Sequence, residues 1–315
     1  MQVASATETE IDSQPTVWEA AMEAGRRAAP ALARLPAPGM TLGCGSAFYA
    51  ADFCARVVDG GQGAQAWPSG DLLVRPATVD GTASVVAFSR SGETDETIQA
   101  VASLPGKRVV VTCAPQSTLA GKADVVIAVP EAHEASVVQT RSFTSMCLAW
   151  TAAMGLIGPE TLAHIQWADH GQRAREAIRE TLAGWLPSHV YVLGGGPDRA
   201  LAMEVALKVT EMSLTPAVGL PILEFRHGPI SMASPKTLVV SFAATADEDL
   251  VLDESASHGA RVLRLVAPAG TPDLLTGLCR MPMAQLLALE LAERKGLDPD
   301  HPRHLTSYVT LPPRS

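Results

Sequence analysis

VVAFSRSGETDET occupies residues 85–97 and joins an apolar run to a turn rich in hydroxyl side chains. In an open α/β sheet, ligands bind beyond the carboxyl ends of the strands, where the N–H groups and dipole of the following helix favour an anion. Ser89, Ser91 and Thr94 would add hydroxyl donors at this point, and Gly92 would allow a tight turn. Serine and threonine are also good helix N-caps, but capping needs one such residue rather than a cluster. The segment therefore predicts a strand, a phosphate-binding turn and a helix in succession.

The same succession of strand, turn and helix recurs along the chain. Short apolar runs predict strands, and apolar residues at helical spacing predict helices. The strands are expected at residues 40–43, 84–88, 108–113, 125–129, 189–193, 237–243 and 262–266, and the helices at 17–35, 46–58, 94–104, 141–155, 159–182, 198–214 and 283–295. Alternation of this kind is typical of an α/β fold in which parallel sheets carry helices on both faces.

The second half of the chain repeats the plan of the first. GCGSAFYAADFCARVV at residues 43–58 corresponds to GGGPDRALAMEVALKV at 194–209, and ASVVAFSRSGE at 83–93 corresponds to TLVVSFAATAD at 237–247. Two copies of one α/β unit account for both the length and the order of elements. We therefore predict an N-terminal helical segment over residues 1–39, a first domain over 40–168, and a second domain over 169–315 that includes the C-terminal tail.

Composition limits the classes of function. The hydrophobic share is 47% and the formal net charge is −9, which argues against a nucleic-acid partner, because phosphate backbones are bound by a surplus of lysine and arginine. The N-terminal stretch is acidic and polar, unlike a signal peptide, and no apolar run approaches the roughly 20 residues of a membrane-spanning helix. We expect a soluble, cytoplasmic protein with neither a nucleic-acid nor a membrane partner.

Residues 198–214 predict a helix that is apolar almost all round, as buried helices are. Three charged residues interrupt it at positions i, i+4 and i+7, so Glu204, Lys208 and Glu211 share one face. Such pairs on a surface only support the helix by a few tenths of a kcal/mol. The apolar surroundings favour a functional interpretation, since buried charges persist when they are paired or used, and a glutamate beside a lysine could transfer a proton.

PILEFRHGPISM, residues 221–232, places His227 before a Gly-Pro turn. Histidine is the natural acid/base near neutral pH, although a single histidine is as well explained by a structural role. The other histidines form no group with metal spacing, and the five cysteines are widely separated. We expect no metal, no disulfide framework and no cofactor.

Six segments, in this order, resemble the double-SIS (sugar isomerase) arrangement of the isomerase half of glucosamine-6-phosphate synthase and of stand-alone amino-sugar-phosphate deaminases and isomerases. They are GCGSAFYAA, FSRSGETDET, VVQTRSFTS, EVALKVTEMS, LEFRHGP and DPDHPRHLTSYVTLP. The resemblance covers nearly the whole chain from residue 40. It implies two flavodoxin-like SIS subdomains and a sugar phosphate as the small-molecule partner.

The resemblance also implies roles at the matched positions. The phosphate would be bound by Ser89, Ser91, Thr94 and the backbone of Arg90, and the sugar site would be lined by Ser46, Thr140, Ser142 and Ser307. Glu211 would move a proton between C1 and C2 of the open-chain sugar, with Glu204 and Lys208 orienting or tuning it. His227 would assist ring opening from a neighbouring subunit, which implies a homodimer with a shared active site.

Two positions depart from the synthase pattern: Ser307 stands where the synthase has a lysine, and Ala47 replaces a serine that helps to hold the sugar. Both departures favour a stand-alone branch. We expect a glucosamine-6-phosphate deaminase or a close relative that yields fructose 6-phosphate and ammonia. A plain ketose/aldose isomerase and a fructosamine-6-phosphate deglycase stay open as alternative enzymes, and a non-catalytic sugar-phosphate sensor as an alternative of another class.

Overall fold

The computed structural model describes residues 4–58, 63–77 and 81–312, which form two compact units. The N-terminal unit consists of residues 13–163 and 305–315, and the C-terminal unit of residues 1–12 and 164–304. This division differs from the predicted one at both ends of the chain. Helix α1 (Ala6–Asp12) packs with the C-terminal unit, where the backbone N–H groups of Ala6 and Thr7 donate to the Asp300 carboxylate over 2.9 and 2.7 Å.

The N-terminal unit is built on five parallel strands in the order β2-β1-β3-β4-β5. They are β1 (Pro38–Gly43), β2 (Gln65–Pro68), β3 (Ser84–Phe88), β4 (Lys107–Thr112) and β5 (Val125–Ala128). The helices around them are α2 (Gln14–Leu32), α3 (Ser46–Val57), α4 (Ser69–Val74), α5 (Asp95–Ser103) and α6 (Arg141–Ala153). This strand order is that of flavodoxin-like folds, in which a ligand crevice opens between the strands that turn in opposite directions.

Strand β3 lies in the middle of this sheet, and all five of its residues are buried. Its partners are in register on both sides, with Ala87 opposite Leu42 of β1 and Val110 of β4. Strands buried on both faces are apolar throughout rather than alternating, which is why VVAF could be predicted as part of a buried strand. The carboxyl end of β3 therefore delivers the following turn to the centre of the sheet edge.

The C-terminal unit has four parallel strands in the order β7-β6-β8-β9. They are β6 (His189–Gly194), β7 (Ala217–Pro221), β8 (Thr237–Ser241) and β9 (Arg261–Arg264). The helices are α1 together with α7 (His170–Thr181), α8 (Asp198–Ser213), α9 (Ala246–Ser257) and α10 (Thr276–Arg294). The order matches that of the first four strands of the N-terminal unit, so the duplicated α/β plan is confirmed.

The predicted long helix over residues 159–182 is wrong. The structure has a single 3-10 turn at Pro159–Leu162 and then α7 from His170. Between them the chain passes from one unit to the other, Gln166 makes a bridge with Ala269, and Asp169 adopts a left-handed φ of 59°. Local helical spacing could not reveal that these residues pair with a distant segment.

One helix, within Asp273–Arg294, is long and apolar enough by composition to cross a membrane, contrary to the expectation that no run approaches that length. Of its most apolar window, 78% is buried inside the protein. A core helix of a globular unit passes the same test of length and hydropathy. Helix α10 packs against α8 and α7, and that packing accounts for its apolar character.

Candidate active site

The turn after β3 is held in one conformation by short-range hydrogen bonds. The hydroxyl of Ser89 accepts from the N–H of Gly92 over 3.0 Å, and the hydroxyl of Ser91 accepts from the N–H of Glu93 over 3.2 Å. Gly92 has a φ of +65°, and a Cβ there would lie 2.0 Å from the hydroxyl oxygen of Ser117. Glycine is therefore required at this position for both its conformation and its lack of a side chain.

Thr94 is the N-cap residue of α5, yet its side chain makes no capping hydrogen bond. Capping was the alternative explanation for the hydroxyl cluster, and the Thr94 hydroxyl does not serve as a cap. Asp95 and Glu96 follow in the first turn of the helix.

A small polar pocket lies at this edge of the N-terminal sheet. Its lining consists of Cys44, Ala47, Phe88, Ser89, Arg90, Ser91, Thr94, Thr97, Gln139 and Ser307. Five of the residues predicted to bind substrate are thus brought together, and all of them belong to the N-terminal unit. Ser46, the first residue of α3, is buried at 5% exposure, and its neighbour Ala47 lines the pocket instead.

Three further lining residues, Gln139, Thr97 and Cys44, also supply polar groups. The Oε1 atom of Gln139 is buried and has no hydrogen-bond partner among the residues described, so it can accept from a substrate hydroxyl. Thr97 donates to the Ser69 hydroxyl over 3.1 Å and lies 3.5 Å from the Cys44 sulfur. Burial raises the pKa of the Cys44 thiol, which therefore stays protonated near neutral pH.

The side chain of Arg90 is turned into the protein rather than into open solvent, with 6% exposure. Its guanidinium donates to the Glu134 carboxylate over 3.3 Å and to the carbonyl of Ser307 over 3.1 Å. The predicted ligand at this position was the backbone of Arg90, whose carbonyl accepts from the Thr112 hydroxyl over 3.2 Å.

Thr140 and Ser142 were predicted to line the sugar site, and the structure gives both side chains a different partner. Each residue is fully buried. The Thr140 hydroxyl donates to Glu134 over 2.9 Å, and the Ser142 hydroxyl donates to the same carboxylate. Sequence reasoning missed Glu134, which stands just before the uncharged stretch 135–140 leading into α6 and carries no other local signal.

In the C-terminal unit, α8 brings together the three charges that the sequence placed on one face. Lys208 is 1% exposed and lies 3.3 Å from the fully buried Glu204 carboxylate, and it also donates to Glu211, whose side chain is 12% exposed. Burial by itself would lower the pKa of Lys208, but the two carboxylates raise it above its ordinary value. The triad therefore places the ammonium of Lys208 between the carboxyl groups of Glu204 and Glu211, of which Glu211 is the more accessible.

His227 also belongs to the C-terminal unit, in the segment between β7 and β8. It follows the 3-10 turn Leu223–Arg226 and is exposed, and its N–H donates to the Glu224 carbonyl over 3.0 Å. Gly228, with a φ of 128°, then reverses the chain. The ring is thus presented on the surface of the unit.

The corresponding sheet edge of the C-terminal unit differs from the hydroxyl turn at residues 89–94. Its threonine, Thr245, forms a capping box with Glu248 at the start of α9. Nearby, Asp198 at the start of α8 is partly buried, and burial raises the pKa of its carboxyl to about 6. The turn that follows β8 therefore does not repeat the hydroxyl cluster that follows β3.

A model of the SIS domain family matches residues 40–155 and 186–267, one segment in each unit. The chain belongs to the SIS domain family. Relatives of this SIS chain include glutamine–fructose-6-phosphate aminotransferase [isomerizing] from Aeropyrum pernix, 34% identical over 275 residues that cover 74% of this chain and 44% of that protein. The same enzyme from Caulobacter vibrioides is 30% identical over 72% of this chain and 44% of its own. The chain thus spans less than half the length of these curated relatives.

Solved structures share the fold over nearly the whole SIS chain. Glucosamine-6-phosphate deaminase from Thermotoga maritima matches with a TM-score of 0.80 and 25% identity, over 98% of this chain and 100% of the other. The C-terminal domain of glucosamine-fructose-6-phosphate aminotransferase from Francisella tularensis matches with a TM-score of 0.81 and 20% identity, over 95% and 99%. The predicted double-SIS fold and family are confirmed.

Proposed function

We propose that the chain is a phosphosugar isomerase that deaminates its substrate, converting glucosamine 6-phosphate or a related hexosamine 6-phosphate and water into the ketose phosphate and ammonia. The observation that carries this proposal is the charged triad of α8, where Lys208 stands between Glu204 and Glu211 in an apolar helix. Apolar residues in place of these charges would pack as well or better. The charges are therefore better explained by a chemical role than by stability.

Within the triad, Glu211 is the carboxylate suited to proton transfer. Glu204 is fully buried, whereas the side chain of Glu211 retains 12% exposure. In the open-chain amino sugar, Glu211 removes the proton on C2 and returns it to C1, while O1 gains a proton and the amine nitrogen loses one. The product of that shift is an imine at C2, and water adds to it with release of ammonia and formation of the C2 ketone. Lys208 remains an ammonium and holds the two carboxylates in place.

The phosphate is assigned to the hydroxyl turn of the N-terminal unit. Ser89, Ser91 and Thr94 line a pocket with polar walls, and α5 begins directly after this turn, so the positive end of the helix favours an anion there. His227, exposed in its turn, is assigned to ring opening, with a second copy of the chain contributing it in a homodimer. A small sugar phosphate, no cofactor and a cytoplasmic location complete the proposal.

The deaminase is preferred over the synthase reaction for two reasons. The structure that matches at 25% identity is named a glucosamine-6-phosphate deaminase. In addition, the pocket is lined by Ser307 and Ala47 at the two positions where the synthase pattern has lysine and serine. A ketose/aldose isomerase and a deglycase are the nearest alternatives, because they share the proton transfer and differ in the fate of nitrogen.

Product analysis separates these functions. Purified protein is incubated with glucosamine, galactosamine and mannosamine 6-phosphates and with fructosamine 6-phosphates, and ammonia, amino acids and ketose phosphate are quantified. Ammonia and ketose in equal amounts are the expected result. A free amino acid would indicate a deglycase, and an isomer without ammonia a plain isomerase. Binding without any turnover would overturn the enzyme proposal in favour of a sensor.

A further inference from the structure

Glu134 lies at the centre of a buried polar network in the N-terminal unit. Its side chain is fully buried. It accepts from the N–H groups of Thr140 and Ser142, over 2.5 and 3.2 Å, and from both of their hydroxyls. Thr140 is the N-cap residue of α6, so the carboxylate satisfies N–H groups at the positive end of that helix. Together with Arg90, these groups use the acceptor capacity of both oxygens.

Arg90 connects Glu134 to the hydroxyl turn at residues 89–94. Besides Glu134, its guanidinium donates to the carbonyls of Ser136 and Val137, over 3.2 and 3.0 Å. Arg90 stands between Ser89 and Ser91, whose hydroxyls line the pocket. Arg90 shares a peptide unit with Ser89 and with Ser91, so a guanidinium held in one place restricts the backbone of the turn on both sides.

The same guanidinium also holds the C-terminal tail. It donates to the Ser307 carbonyl over 3.1 Å, and two hydrogen bonds with Asp95 secure the tail further along. The Asp95 N–H donates to the Val309 carbonyl over 3.1 Å, and the Leu311 N–H donates to the Asp95 carboxylate over 2.7 Å. Arg90 is therefore hydrogen-bonded both to the 136–138 loop and to the tail, and it is itself part of the turn that lines the pocket.

A buried ion pair is a poor means of gaining stability. Removing two charges from water costs several kcal/mol, and well-packed apolar replacements are often neutral or stabilising. Arg90 and Glu134 are nevertheless 6% and 0% exposed in their side chains, directly behind the hydroxyl turn. Without Glu134, the Arg90 guanidinium would be free to pair with the substrate phosphate or to move away from the pocket wall.

We infer that Glu134 is a positioning residue for the phosphate pocket: it anchors Arg90, and through Arg90 it sets the turn Ser89–Thr94 and the tail around Ser307. This inference rests on the proposed function, in that the turn must bind phosphate. Glu134 itself contacts neither phosphate nor sugar. Its effect is on binding, so its loss raises KM much more than it lowers kcat.

The test compares Glu134→Gln with wild type and with Glu131→Gln, an exposed glutamate three residues away in the same loop. Gln keeps the volume of the side chain but removes its charge and sets an amide N–H₂ beside Arg90. Dissociation constants for inorganic phosphate and for glucosamine 6-phosphate are measured by calorimetry well below the melting temperature of each variant. We expect weakening of both ligands by about 10- to 100-fold in Glu134→Gln, because a displaced positioning group costs on this scale, and no change in Glu131→Gln.

A purely structural role predicts a different outcome. Glu134→Gln would then melt at a lower temperature but bind phosphate as wild type does, and this result would overturn the inference alone. If wild type binds neither ligand, the phosphate role of the turn fails, and the inference with it. Should Glu134→Gln not fold, Arg90→Lys decides the matter, because lysine keeps the charge but cannot reach the carboxylate and the loop carbonyls together. Unchanged phosphate affinity in Arg90→Lys would equally overturn the inference.

Discussion

Replacing Gly92 with alanine should destabilise the hydroxyl turn, and the loss in free energy of unfolding can be calculated from the structure. The residue has a φ of +65°, a conformation that costs an alanine about 1–2 kcal/mol. The added Cβ would lie 2.0 Å from the hydroxyl oxygen of Ser117 and 2.4 Å from its Cβ. Overpacking of this kind adds about 1–3 kcal/mol, so we expect Gly92→Ala to lower the free energy of unfolding by about 2–5 kcal/mol.

The displacement also predicts weaker phosphate binding. The N–H of Gly92 donates to the Ser89 hydroxyl, and its carbonyl accepts from the N–H of Leu119 over 3.0 Å. Any shift that relieves the contact with Ser117 therefore moves Ser89. Urea denaturation would measure stability, and calorimetric titration with inorganic phosphate would measure the site.

Gly121 provides a matched control within the same unit. It has no atom within 4 Å of an added Cβ and no positive φ, so Gly121→Ala should leave stability and phosphate affinity near wild type. Adding Ser117→Gly to Gly92→Ala relieves the contact but not the backbone strain, and the coupling should recover about 1–3 kcal/mol. If Gly92→Ala differed from wild type no more than Gly121→Ala does, the described geometry of the turn would be refuted.

Two further predictions concern the starts of α5 and α8. Thr94→Ala should weaken phosphate binding about tenfold, because one hydrogen bond to a charged group is lost. Stability should change little, because the Thr94 hydroxyl makes no cap bond. A loss of stability near 1 kcal/mol with unchanged phosphate affinity would instead identify an ordinary cap. Asp198 has its folded pKa raised from 3.8 to about 6, so its contribution to stability is present below about pH 4 and is lost as pH rises through 6. Asp198→Asn should therefore gain about 3 kcal/mol relative to wild type between pH 4 and pH 7 in urea denaturation, and a difference that is independent of pH would contradict the assignment.

Much of the fold follows from local patterns, because the central strands are buried on both faces. VVAF and TLVVS are continuous apolar runs between turn signals, and both are strands in the structure. Two of the edge strands, β2 and β7, were missed for the converse reason. Gln65–Pro68 and Ala217–Pro221 are short, half-exposed and end in proline, so nothing local distinguishes them from loops.

The candidate site was predicted where its residues are close in sequence. The hydroxyl turn and the helical triad each lie within one segment, and their spacing alone places Glu204, Lys208 and Glu211 together. The role of Glu134 could not be predicted from local sequence spacing. Its partner Arg90 is 44 residues away, and the burial that makes their pairing decisive arises only when the sheet, α6 and the tail are packed.

The central claim is that Glu211 moves the proton of a bound amino-sugar phosphate. Its most direct test measures turnover and substrate affinity together in Glu211→Gln, with Glu180→Gln, an exposed glutamate on α7, as the control. We predict that kcat for ammonia release falls by about 10²- to 10⁴-fold in Glu211→Gln while the dissociation constant for glucosamine 6-phosphate stays unchanged, because the substitution removes the base but not the phosphate turn. Turnover by Glu211→Gln at the rate of wild type and Glu180→Gln would contradict the account.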